Sequence, residues 1–331
     1  MKIFWKRTQL KLKETFSIAH GNFDFRNALL ITLSHEGKSG YGECVEISYY
    51  DISLEDFEKK LEIISKEFEN QQIVHPKDFF IYLKSLPLHS FLLSAIDCAY
   101  WDLYGKLQGK SFSELNGIQN PDLPNSSFTI SIANIDEQIL KIKASNWNSF
   151  KVKCNHLDKE NFEKLLNLNK KIALDANASF SLEDCNWLEN SGFGQKLLYV
   201  EQPLVIGNFS GLKYSSTVNW MADEDCQDIS SLPKLKPHYQ SINLKLMKCG
   251  GITPALQLIS EAIKLGFKIM IGCMTESSVG ISAGIAVASL CEFADLDGAN
   301  LIANDYATGS YVEKGILQLS EKAGLGITLN T

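Results

Sequence analysis

The sequence predicts an α/β fold in which a TIM-type barrel follows an N-terminal α+β domain. Three observations carry this reading. Eight short, β-rich apolar runs recur between residues 126 and 298, with centres 22 to 27 residues apart. A strand of ~5 residues, a helix of ~11 and two loops of ~3–4 account for such a period. The charged residues of these runs fall at their C-terminal ends, where a barrel gathers its chemistry. Before residue 116 the texture is different, with strands first and helices after, which is the α+β order.

In chain order, Ile3 to Leu12 alternates, Ala28 to Leu33 is a short apolar run closed by the turn Glu36-Gly37, and Gly40 to Val45 makes a third strand. From Leu54 to about Ser111 the period is helical. Within it, Ser90–Lys106 sets Leu93, Ile96, Ala99, Trp101, Leu103 and Tyr104 on one broad face. A Gly, Asn and Pro cluster at 116–124 marks a boundary. The eight barrel strands then centre on Ile130, Val152, Leu174, Val200, Ala222, Leu244, Ile271 and Asp295. Between them, Leu157–Asn169 and Ala255–Leu265 read as amphipathic helices, and Ser277–Leu290 as an apolar one. An open doubly wound sheet shares this alternation, but eight strands in such a sheet call for switch-point loops of uneven length.

Composition sets the outer bounds. The chain has 331 residues, 45% hydrophobic and 21% charged, enough for two domains at roughly 150 residues each. Its formal charge of −7 argues against nucleic acid and anionic membranes, which need clustered Lys and Arg. No apolar run reaches the ~18 residues of a membrane span, and the charged, alternating start has no signal-peptide core. Eight cysteines are scattered without a CxxC pair, so they read as buried free thiols in a reducing cytoplasm.

The strand ends carry charge in a definite order. Lys151 and Lys153 lie two apart on the second strand and share a face. Asp175, Glu201 and Asp223 end the third, fourth and fifth strands, Lys245 lies on the sixth, and Asp295 and Asp297 lie on the eighth. Singly each has a bland reading, since a lone KxK is usually a solvated edge and a lone Asp a helix cap. Jointly, three carboxylates on successive strands converge, and hard oxygen ligands in that number suit Mg²⁺. In an eight-stranded barrel, strands two and six are half a turn apart, so Lys153 and Lys245 face each other. One amine removes a proton α to a carboxylate, the other returns one on the opposite face, and Mg²⁺ holds the enolate. The base must be neutral, so its pKa has to fall, with Lys151 and the metal contributing. The reaction expected is racemisation or epimerisation.

These residues, with HG at 20–21, YGEC at 41–44, AIDCAYWDLYGK at 95–106, NLKLMKCGG at 243–251 and GCMTESS at 272–278, resemble the enolase superfamily. The likeness is to its muconate-lactonising subgroup and, within that, to the dipeptide epimerases of the L-Ala-D/L-Glu type. It implies a modified TIM barrel of the (β/α)7β type over 119–305, with an N-terminal α+β capping domain at 1–118 completed by the tail 306–331. It also implies Lys153 and Lys245 as the acid/base pair assisted by Lys151, and one Mg²⁺ per subunit on Asp175, Glu201 and Asp223. Asp295 and Asp297 would hold the α-ammonium of a dipeptide whose C-terminal residue is epimerised. The capping loops Ala19–Phe25 and Ile47–Asp51 would choose side chains.

Members preferring Ala-Glu often carry an arginine in the first of these loops. Phe23 stands near that place with Arg26 three residues on, so either Arg26 serves or the pocket prefers an apolar side chain. Thr129, Ser131, Cys273 and Met274 complete the expected substrate contacts. Glu276 reads equally as a helix cap, and His156 as a loop histidine. The resemblance further implies a homo-oligomer and a substrate such as the murein-derived L-Ala-D-Glu. Dehydration to o-succinylbenzoate or a cycloisomerisation would use the same enolate, but two carboxylates on the last strand repel an anion that lacks an amine. A catalytically silent binding protein would not need the full set of lysines and carboxylates.

Overall fold

The computed structural model describes residues 1–18, 21–47 and 50–330. Ala19, His20, Ser48 and Tyr49, which belong to the HG pair and the two capping loops named above, lie outside the described residues. The chain opens with an antiparallel sheet of β1 (Lys2–Ile18), β2 (Gly21–His35) and β3 (Lys38–Val45) in that order. The first two strands run further than their apolar alternation. Their register shifts between Lys11 and Phe16, where Lys13, Glu14 and Thr15 are exposed. Such a bulge releases the strand from the inside-outside pattern. The second hairpin turns on Glu36 and Gly37, with φ of 48° and 73°, the left-handed pair that two-residue hairpins favour.

Four helices follow: α1 (Leu54–Glu69), α2 (Pro76–Ser85), α3 (Ser90–Gln108) and α4 (Phe112–Asn116). Leu29, Ile31 and Leu33 of β2 share a core with Leu92, Ala95, Ile96, Ala99 and Leu103 of α3. The approach of β3 to that helix explains the glycine of YGEC. A Cβ on Gly42 would stand 2.0 Å from the Ala95 carbonyl oxygen, so no larger residue fits.

The barrel strands are β4 (Phe128–Ile130), β5 (Ser149–Lys153), β6 (Lys171–Asp175), β7 (Leu197–Glu201), β8 (Trp220–Ala222), β9 (Ser241–Lys245), β10 (Lys268–Gly272) and β11 (Phe293–Asp295). All are parallel and neighbour one another in chain order. A parallel bridge between Ser126 and Ala294, with Ser127 N donating to Ala294 O at 3.0 Å, joins the last strand to the first. This closure sets aside the open sheet.

The crossovers are less regular than the strands. They carry α5 (Ile135–Ala144), α6 (Phe162–Leu166), α7 (Leu182–Asn190), α8 (Leu232–Leu235), α9 (Leu246–Cys249), α10 (Ile252–Lys264) and α11 (Ser278–Val287), with α12 (Gly298–Leu301) after the last strand. Of the expected helix Leu157–Asn169 only α6 forms. Its first turn is pre-empted by the Asp158 carboxylate, which accepts from the backbone and side-chain amides of Asn161. Polar side chains that bond nearby backbone compete with a helix in this way. Between β7 and β8 the only helical piece is the short 3₁₀ turn Phe209–Gly211.

Alternation decides what each barrel strand offers. Phe150, Val152, Ile172, Leu174, Val200, Ile242 and Leu244 face outward into the helices. Inside, Ala173, Tyr199, Met221, Met270 and Phe293 pack together in the lower barrel. Above them the inward positions turn polar, and this is where the site lies.

From residue 306 to 330 the tail pairs β12 (Ala307–Thr308) with β15 (Thr328–Leu329), and between them forms a small hairpin of β13 (Tyr311–Glu313) and β14 (Ile316–Gln318). It returns to the N-terminal helices, where Leu325 N donates to the buried Asp102 carboxylate at 2.8 Å and Phe112 N donates to Gly324 O at 3.0 Å. Among the described residues, no helix is long and apolar enough to cross a membrane.

Candidate active site

The inward ends of β5 to β9 bring one buried cluster together. Lys153 Nζ donates to Asp175 Oδ2 at 2.6 Å and to Asn177 Oδ1 at 3.2 Å. Lys245 Nζ donates to Asp223 Oδ2 at 2.6 Å. The strands carrying Lys153 and Lys245 are four apart in the sheet order, and both lysines line one cavity of about 60 Å³. Lys151, one layer deeper, touches Asp295 Oδ2, Glu201 Oε2 at 3.3 Å and Asp175 Oδ2 at 3.5 Å.

Two turns after strand ends hold the carboxylates in strained backbone. Asn177 and Ala178 have φ of 41° and 67°, and Gln202 has 36°, a region that non-glycine residues enter only when the surroundings force them. The force is visible. Asn177 N donates to Asp175 Oδ1 at 3.0 Å, its side-chain amide reaches Glu224 Oε1 at 3.2 Å, and Gln202 Oε1 accepts from Asp223 N at 3.1 Å. Asn243 Nδ2 donates to Glu201 Oε1 at 2.7 Å. Gly272 makes room for that amide, because a Cβ there would stand 2.3 Å from Asn243 Oδ1.

The electrostatics are those of a crowd of buried charges. Burial, then repulsion from Asp175, pushes the Glu201 carboxyl up to about 8. Burial disfavours the charged form of Asp223 too, but Lys245 and Lys248 outweigh it and hold the group well below its ordinary value. The lysines differ from expectation. Burial works against the ammonium of Lys245, yet Asp223 and Glu201 outweigh it and hold the pKa well above the usual lysine range; Asp295, Glu201 and Asp175 do the same for Lys151. A lysine flanked by carboxylates keeps its proton, so with Asp223 and Glu201 beside it Lys245 is not the neutral base foreseen, and Lys151, expected only to assist, is charged as well.

The donors suit a divalent cation. Asp175, Glu201 and Asp223 are hard oxygen ligands on successive strands, and Glu201 Oε2 makes no hydrogen bond, with only the Lys151 ammonium 3.3 Å away. At the strand ends six buried carboxyls (175, 201, 223, 224, 295 and 297) face four buried lysines (151, 153, 245 and 248). As the side chains stand, no three acidic, His or Cys groups among the described residues draw close enough to hold a metal, because the lysines stand between them.

The remaining predicted residues are dispersed more unevenly. Thr129, Cys273, Met274, Arg26, Asp295 and Asp297 all line the cavity, together with Phe16, Ile47 and Leu301. Asp297 accepts from Thr129 N at 2.7 Å and from its hydroxyl at 3.3 Å, and burial with the nearby Asp295 pushes it up to about 7. Arg26 is buried on β2, with its guanidinium 3.9 Å over the Phe23 ring, so Phe23 meets the cavity through Arg26. Ser131 lines a neighbouring groove instead. Glu276 neither caps a helix nor lines the cavity. Its carboxylate accepts from Met274 N at 2.7 Å, and the hydroxyl of Ser277 caps α11. His156 is an exposed loop residue. Sequence reasoning gave no role to Asn177, Glu224, Asn243 or Lys248, although Asn243 and Lys248 lie within the quoted motif at 243–251.

With this geometry in place, comparison with known proteins is decisive. The family described as Enolase C-terminal domain-like matches residues 135–331. The chain belongs to the enolase superfamily. Within that superfamily it falls among the dipeptide epimerases. It is 37% identical to the L-Ala-D/L-amino acid epimerase of Maribacter sp. over the whole of both chains. It is 36% identical to the enzyme of the same name from Flavobacterium johnsoniae, covering 99% of this chain and 100% of the relative. Among solved structures, the dipeptide epimerase from Enterococcus faecalis V583, complexed with Mg and L-Leu-L-Tyr, aligns with a TM-score of 0.86 at 26% identity over 99% of each chain.

Proposed function

We propose that this enolase-superfamily member is a Mg²⁺-dependent dipeptide epimerase that inverts the α-carbon of the C-terminal residue by two-base proton transfer. The observation that carries the reading is the pair Lys153 and Lys245, four strands apart, each on its own carboxylate and both opening into one cavity. Asp175, Glu201 and Asp223 would hold Mg²⁺, whose charge stabilises the negative charge that a substrate carboxylate gains when its α-proton leaves.

The chain's own groups do the rest. One of the two lysines, having lost a proton to solvent, takes the substrate's α-proton as the base, and the lysine opposite, as the ammonium, delivers a proton to the other face. Lys151 remains charged beneath them and adds positive field. Asp297, seated on Thr129, takes the substrate's α-ammonium, with Asp295 held in line by Lys151. Arg26 on Phe23, with Cys273 and Met274, shapes the pocket for the epimerised side chain. Among the described residues all eight cysteines are free thiols, which favours a reducing compartment such as the cytoplasm. A murein-derived L-Ala-D-Glu is the acidic substrate to try first.

The test is proton NMR in D₂O with Mg²⁺ on L-Ala-L-Glu and on L-Ala with apolar partners. Loss of the C-terminal α-proton signal and growth of the second diastereomer are expected. Exchange should fall about 10²–10⁴-fold in Lys153→Ala and Lys245→Ala, the span for a positioned acid or base. No exchange with any dipeptide would overturn the reading and turn attention to dehydration and cycloisomerisation of the same enolate.

A further inference from the structure

Lys248 lies three residues beyond the sixth barrel strand, in the single turn of α9, and is buried. Its ammonium donates to Asp223 Oδ1 at 2.6 Å, to the Asp223 backbone carbonyl, and to the Asn243 carbonyl at 3.1 Å. An ammonium has three hydrogens, and all three are committed here. Asp223 thus has a lysine on each oxygen, with Lys245 on Oδ2. The two are not equivalent. Lys245 borders the cavity and is free to swing into it, whereas Lys248 is tied to the backbone carbonyls of Asp223 and Asn243 and does not border it. When a cation claims Asp223, Lys245 yields Oδ2 and Lys248 keeps Oδ1.

We propose that Lys248 restricts Asp223 to one-oxygen ligation and so biases the site toward Mg²⁺ over Ca²⁺. This rests on the reading of Asp175, Glu201 and Asp223 as the cation site. Ca²⁺ takes six to eight oxygens and readily accepts a carboxylate through both of its own, while Mg²⁺ demands octahedral geometry from single oxygens. A group that occupies one oxygen of a ligating carboxylate therefore penalises the larger ion. Lys248 acts on the cation through Asp223, which makes it a positioning residue.

Isothermal titration of the full chain with MgCl₂ and, separately, CaCl₂ tests this without reference to activity. In Lys248→Met the lost positive charge strengthens binding of both ions alike, because their charges are equal, so the ratio of their dissociation constants isolates geometry. The Ca²⁺-to-Mg²⁺ ratio of dissociation constants is expected to fall by about tenfold in the variant. An unchanged ratio would overturn the assignment. Lys248→Gln, which also removes the charge but keeps a polar donor, gives the same comparison if the Met variant does not fold. If neither variant folds, Lys248 is a prop of the fold and the selectivity role is lost. Binding of neither ion by the unaltered chain would instead remove the cation site itself.

Discussion

Gly272 shows how far the site depends on positions that carry no charge. Gly272→Ala would drive a Cβ into the Asn243 amide that bonds Glu201. The expected result is a loss of about 1–3 kcal/mol in denaturant unfolding, the usual range for overpacking, together with weaker Mg²⁺ binding by titration. An unchanged midpoint and affinity would show that Asn243 is free to move. The charged residues of the site were legible because a carboxylate or lysine at an inward strand end has no apolar reason to be there. Asn243 and Gly272 gave no such signal. Lys248 lies on a helical turn, outside the two-residue parity that exposed the others.

Between elements, the joint of α3 and α10 rests on one buried knot. Thr253 donates through its backbone N and its hydroxyl to the two oxygens of Asp97, both at 2.8 Å, and accepts from Trp101 Nε1 at 2.9 Å. Thr253→Val keeps the shape and removes the hydroxyl. That strands one Asp97 oxygen and the indole N–H in the interior, which costs about 1–3 kcal/mol for each unmet group. Chemical denaturation should show a drop of that order, and Thr253→Ser should recover most of it. The strands and α10 were legible from period and length, because their apolar faces are unbroken. The helix between β5 and β6 was misjudged in length because Asn and Asp at its start bond locally, a choice that hydrophobic periodicity does not register.

For the molecule as a whole, pH acts through carboxyls buried between cap and barrel. Glu43 of β3 accepts from Ser277 N at 2.9 Å, from the Ser277 hydroxyl at 2.7 Å and from Tyr306 Oη. Burial is the largest influence on it and raises it to about 7, as it does for Asp97. Their ordinary values are 4.5 and 3.8, so between those values and about 7 the folded state binds more protons than the unfolded one. Stability therefore falls as pH rises through that window, and Glu201, raised to about 8, carries the fall somewhat further. The lowered Asp175 and Asp223 act in the opposite sense, but only below about pH 4. Unfolding free energies from urea titrations between pH 5 and 8 should decline, by an amount on the order of 5 kcal/mol in all. A rising series would contradict the burial of these carboxyls.

The return of the tail to α3 has a consequence for how the protein is made. Asp102 emerges from the ribosome 223 residues before Leu325, the backbone group it finally accepts from. At synthesis rates of 5–20 residues per second that is a wait of roughly 10–45 s. During it, the first strands and helices must hold on their own core while a carboxylate destined for the interior faces water. The same interval is when a chaperone or protease meets the nascent cap, so codons that slow the barrel would lengthen the exposure of a part that is already finished.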